Sequence, residues 1–185
     1  MPLASFSRLS LHDGNTYYRI AQNLWSAQPV EQYTWHKRIL HVLLGRFLIP
    51  WNMELSFLAA GILAASLSAV YFYRIAARHV EHPFKLTLLY SALPWLFFPA
   101  HHALNEPLLM LTLLAGYYYY TEGRLGACTV SYALALLTKE LAAFSALAVG
   151  LLILRRWGWR KALLFATAVL PMGVYCLAYG LRWGD

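Results

Sequence analysis

The chain has 185 residues, of which 60% are hydrophobic and 12% charged, with a formal net charge of +7 at neutral pH. Soluble domains carry about a quarter of their residues as charges, and apolar blocks as long as these would leave excessive apolar surface in water, so a soluble globule is excluded. The bases flank the apolar blocks instead of joining aromatic stacking platforms, which excludes a nucleic-acid partner and assigns them to membrane orientation and anionic headgroups.

No Gly/Ser linker, low-complexity tract or internal repeat divides the chain. The sequence predicts one membrane domain over residues 1–185, with 1–53 as an extracytoplasmic, interfacial helical segment and 54–185 as a transmembrane bundle. Its fold class is all-α, a polytopic bundle of about five to six membrane helices. Cys128 and Cys176 sit inside apolar blocks as small hydrophobes, and neither a disulfide nor a metal site is indicated for them.

Residues 1–50 hold neither a span nor a signal peptide, yet they carry Arg8, Arg19, Lys37, Arg38 and Arg46, which resist export. A transmembrane helix before residue 1 is therefore expected, with this chain a fragment of a longer one. Asp13-Gly14 predicts a turn. A helix follows over about residues 15–24, with Tyr17, Ile20, Ala21 and Leu24 on its apolar face and Asp13 at its start, where an N-cap is the plain alternative to a catalytic role. Residues 39–49 are too short to span, and His41 and Arg46 suit a helix lying along the interface.

Residues 55–73 make the clearest span, about nineteen uncharged residues before Arg74, close to the roughly twenty a helix needs to cross a bilayer. A second span is expected over 86–100, kinked at Pro94. A third covers 107–120, with Pro107 in its first turn, where the missing amide hydrogen is not needed. The apolar run 126–154 is divided by Thr138, Lys139 and Glu140. Two short helices turning there keep Arg74, Arg78, Lys85, Arg124, Arg155, Arg156, Arg160 and Lys161 on one face, whereas one long helix would split them across the membrane, so two are favoured. The last span is 162–181, with a kink at Pro171.

With the bases cytoplasmic, the opposite face collects Asp13, His101, His102, Glu106, Lys139 and Glu140. Polar loops alone would give some such sorting. His102 and Glu106 are four apart and with Asp13 would make an oxygen and nitrogen metal site, while Glu106 before Pro107 equally suits an ordinary helix start. Lys139 could hold a phosphate or pair locally with Glu140. Arg38 could hold a phosphate of substrate or of lipid.

Asp13-Gly14, Tyr17 and Ile20-Ala21, followed by Asn105-Glu106-Pro107 and by Leu137-Thr138-Lys139-Glu140, resemble in their order and their letters the N-terminal part of the GT-C superfamily of integral membrane glycosyltransferases. The resemblance covers most of this chain and a third to a half of a full member. It implies transfer of a sugar from a polyprenyl-phosphate carrier to an acceptor on the extracytoplasmic face, in a bacterial inner membrane. Asp13 would then be the general base or a ligand of a divalent cation (Mg or Mn), with Asp13, His102 and Glu106 as its candidate ligands. His12, Tyr17, Arg38, Asn105, Glu106, Lys139 and Glu140 would contact substrate and carrier. Many members carry a second acid beside the first, whereas here His12 precedes Asp13 and Gly14 follows it, which leaves metal dependence open. Competing readings are a non-catalytic membrane scaffold or assembly subunit, and a small transporter with polar groups at the midplane. The oligomeric state, donor sugar and acceptor are not legible.

Overall fold

The computed structural model describes residues 12–24, 38–94 and 105–183, and every regular element among them is helical. The first helix, α1 (His12–Gln22), begins earlier than expected: Asp13 and Gly14 lie inside its first turn, not in a turn before it. Acidic residues are favoured in a first turn by the helix dipole. Tyr17, Ile20 and Ala21 are buried, as their spacing predicts, but against Ile39, Val42 and Phe57 instead of against lipid.

α2 (Ile39–Phe47) occupies the short segment expected along the interface. His41, however, faces inward. It is 1% exposed, and its ring lies 5.1 Å from Tyr17, edge to face, and 5.1 Å from Phe57. The reason is that α2 lies between α1 and α3 (Met53–Ala76) and has neighbours on two sides. Close approach of α2 to α3 depends on Gly45, where an added Cβ would collide with the Phe57 ring. Ser56 then closes the end of α2, donating to the Leu44 carbonyl at 2.8 Å and accepting from the Ile49 amide at 3.0 Å. Asn52 caps α3 by accepting from the Leu55 amide at 3.0 Å.

α4 (Pro83–Ser91) stops before Pro94, consistent with the restriction proline places on the residue preceding it. Residues 95–100 of the span expected over 86–100 lie outside the described residues. α5 (Glu106–Thr121) has Pro107 in its first turn, as expected. Gly123, at φ 73°, then turns the chain into α6 (Leu125–Thr138) through backbone space that glycine enters freely.

The divided run 126–154 forms two helices, α6 and α7 (Ala142–Trp157). Lys139 between them is extended, with φ −159° and ψ 132°. The hydroxyls of Tyr132 and Ser145 lie 3.2 Å apart, where a continuous helix would separate them by about 20 Å. The chain therefore reverses and puts Lys139 and Glu140 at a hairpin tip. Gly158, at φ 84°, starts the return through α8 (Trp159–Ala166), a 3-10 turn (Thr167–Val169) and α9 (Leu170–Trp183). The 3-10 turn sits where the ring of Pro171 meets the preceding turn, so the kink expected at Pro171 takes this form.

Both ends of the bundle are clasped. At one, the Tyr71 and Tyr119 hydroxyls are 2.9 Å apart, Arg78 donates to Thr121 at 2.9 Å and pairs with Glu122, and Arg74 and Arg78 lie 5.7 and 5.0 Å from the Tyr118 ring. α3 and α5 therefore run parallel, with α6 returning between the ends.

Among the described residues two stretches are long and apolar enough to cross a membrane, Met53–Ala76 and Trp159–Leu181. Their most apolar windows are only 33% and 17% buried, so most of each apolar surface is left uncovered by the described residues. α5, α6 and α7, with 16, 14 and 16 residues, measure about 24, 21 and 24 Å against a hydrocarbon thickness of about 30 Å. Among the described residues, fewer helices than the expected five to six thus meet the length requirement.

Candidate functional site

Four elements converge at the end of the bundle opposite the Tyr71–Tyr119 contact. α1 contributes Tyr17, 1% exposed. The residue before α2 is Arg38, which donates from one Nη to the Tyr17 hydroxyl at 2.9 Å and from the other to Glu140 Oε1 at 3.2 Å. Its Nε lies 3.5 Å from Glu140 Oε2, so the guanidinium meets the carboxylate edge to edge.

Beside this pair, Lys139 Nζ donates to Glu106 Oε1 at 2.8 Å. Asn105 donates from Nδ2 to the Thr138 carbonyl at 2.9 Å, with both residues buried. That carbonyl belongs to the last turn of α6 and has no intrahelical amide, so Asn105 supplies a bond the helix end lacks. The start of α5 is thereby fixed against the hairpin tip.

Six residues singled out from the sequence thus join one network: Tyr17, Arg38, Asn105, Glu106, Lys139 and Glu140. The pairing differs from the local alternative, because Lys139 and Glu140 each bond across the fold instead of to each other. Thr138 belongs to the network through its main chain, and sequence alone offers no signal for that role. His41, expected at the interface, instead backs the Tyr17 ring from inside. Asp13 sits one helical turn before Tyr17 and His12 opens α1, while His101 and His102 lie outside the described residues.

The electrostatics follow from partial burial. Burial alone would lower the affinity of Arg38 for its proton, but the hydrogen bonds to Glu140 and Tyr17 outweigh it and raise the guanidinium above its ordinary value. Burial would raise Glu140, yet Arg38 and the backbone amide bond hold its carboxyl below the usual carboxylate range. Both groups are therefore charged at neutral pH. The bases lie deeper, with side chains 16% and 17% exposed, and the acids nearer the surface at 49% and 34%. A phosphate approaching from outside would meet carboxylates first and would have to take over the inner bases.

Glu106, the one expected ligand whose side chain is described, faces the Lys139 ammonium, and its Oε2 is buried without a partner among the described residues. No group of three potential ligands occurs among the described residues. Comparison with protein-family models, with curated proteins and with solved structures gives no match.

Proposed function

We propose that this chain is all or part of a GT-C-type membrane glycosyltransferase, moving a sugar from a polyprenyl-phosphate carrier to an acceptor hydroxyl at the extracytoplasmic face of a bacterial inner membrane. The observation that carries this reading is the gathering of Arg38 and Lys139, through their pairs with Glu140 and Glu106, at one end of the bundle, beside the helix whose first turn contains Asp13. The bases Arg78 and Arg156 stack on Tyr118 and Tyr120 at the other end, which agrees with a cytoplasmic face there. In this reading α5, α6 and α7 also cross, through a locally thinned bilayer, giving five to six passes.

Arg38 offers a planar donor edge suited to phosphate oxygens, and Lys139 a second positive charge. Together they would hold the carrier phosphate as the bond to the sugar breaks, stabilising the charge that collects on the leaving oxygen. Asp13 would take the proton of the acceptor hydroxyl as its oxygen bonds to the sugar carbon. The bonding electrons leave with the carrier phosphate, and no oxidant or reductant is needed.

The test is Asp13→Asn in the complete protein, assayed for sugar transfer from a polyprenyl-phosphate donor. Loss of about 10²- to 10⁴-fold in kcat is expected for a general base, and unchanged transfer would remove Asp13 from the mechanism. Arg38→Lys, which keeps the charge but loses the planar donor edge, should lower kcat as well as raise KM for the donor.

A scaffold or assembly subunit is the second reading, favoured by the fact that each base is already neutralised by a carboxylate, as in a structural clasp. A scaffold predicts that Arg38→Lys changes melting temperature and partner assembly alone. A transporter has less support, because Lys139 and Glu140 lie at a hairpin tip and not midway along a helix.

A further inference from the structure

A cleft of about 350 Å³ runs between α7 and the α8 segment, lined by Ala143, Ala146, Gly150 and Leu154 on one wall and by Phe165 and Val169 on the other. Small residues recess the α7 wall, and an added Cβ at Gly150 would touch the Phe165 ring at 3.6 Å. From Ala143 to Leu154 the wall is about 17 Å long, close to one leaflet of a bilayer whose hydrocarbon is about 30 Å thick.

The foot of the cleft is strongly basic, with Arg155 and Arg156 ending α7 and Arg160 and Lys161 in the first turn of α8. Among the described residues none of the four has a carboxylate partner. Two are engaged by aromatic rings, Arg156 at 5.8 Å from Tyr120 and 5.3 Å from Trp157, and Arg160 at 5.6 Å from Trp159. The other two continue the walls. Arg155 follows the lining residue Leu151 by four positions and Lys161 precedes Phe165 by four, which puts each on the same helix face as the cleft.

We propose that this cleft binds one anionic phospholipid, with an acyl chain along the apolar walls and the phosphate on Arg155 and Lys161. The inference goes beyond glycosyl transfer and rests only on the membrane reading. The match of wall length to a single leaflet argues for a lipid chain, and the charge at the foot argues for a phosphate. Trp157 and Trp159 lie at the same level, where indole rings favour headgroups. A second copy of the chain docked foot to foot would bring like charges together.

The test uses the complete protein extracted in detergent and exposed to equal amounts of phosphatidylglycerol and phosphatidylcholine with identical chains, with retained lipid counted by native mass spectrometry. Phosphatidylglycerol should be retained over phosphatidylcholine by about tenfold. Arg155→Gln with Lys161→Gln, both exposed positions, should bring that ratio close to one. Gly150→Leu should reduce retention of the lipid, and Ala143→Phe, at an exposed position, should do so even if the former variant fails to fold. Equal retention of the two lipids, full competition by glycerol phosphate lacking chains, or a dimer that holds no lipid would each overturn the site. Release of the protein from membranes by alkaline carbonate without detergent would overturn the membrane reading itself.

Discussion

Asn105 and Thr138 are joined by a buried hydrogen bond, from the Asn105 amide to the Thr138 carbonyl at 2.9 Å, that locks the first turn of α5 to the last turn of α6. Asn105→Ala would leave a carbonyl at 0% exposed Thr138 without its partner. The cost of such a buried loss is about 1–3 kcal/mol. Reversible unfolding in detergent should show it as a lower midpoint with an unchanged slope, and a cost under about 0.5 kcal/mol would mean the bond contributes nothing net.

Acidification should weaken the network through Glu140. Its carboxyl is held below the ordinary value of 4.5 in the folded chain, so the unfolded state binds the proton more readily. The stability it contributes is complete above that ordinary value and disappears as pH falls through the lower folded value. Arg38 adds no slope in this window, since its raised value lies far above it and it stays charged in both states. Melting temperature followed downward from pH 6 should drop more steeply for the natural protein than for Glu140→Gln. Identical profiles would refute the linkage.

Gly116 faces the Tyr132 ring, and an added Cβ would lie 2.7 Å from Cε2 and 2.8 Å from Cδ2. Gly116→Ala should therefore destabilise by about 1–3 kcal/mol, the usual range for overpacking, despite the better helix propensity of alanine. A stability equal to or above that of the natural protein would show that α5 and α6 can separate without cost.

Lys139 and Glu106 should behave as one unit. A double-mutant cycle with Lys139→Met and Glu106→Gln is expected to give a coupling energy of about 0.5–3 kcal/mol, because each single change leaves the other group without its charge partner. Additive effects would place the two side chains apart in solution.

Legibility of the sequence followed the range of the interactions involved. The span at 55–73 and the start of α5 at Pro107 were readable because hydropathy and proline chemistry act within a few residues, and the observed α3, Met53–Ala76, differs only at its ends. Asp13-Gly14 was ambiguous, since an acid followed by glycine suits both a turn and the first turn of a helix. The reversal at Lys139 was legible through the distribution of distant bases, although local apolarity equally allowed a continuous helix. The pairings themselves were not legible. Arg38 and Glu140 are 102 positions apart and Lys139 and Glu106 33 apart, and a sequence offers each charge several partners of opposite sign. The inward turn of His41 was equally hidden, because its burial depends on α1 and α3 closing over α2.

The α6–α7 hairpin also sets an order of assembly. Both of its feet carry arginine, Arg124 before α6 and Arg155 and Arg156 ending α7, and its tip lies at the opposite end, beside Arg38 and Glu106. Synthesis from the N-terminus makes Arg38 and Glu106 before the tip exists. When Lys139 and Glu140 arrive, counter-charges of the correct sign have already been made, and docking of the hairpin tip is a capture instead of a search.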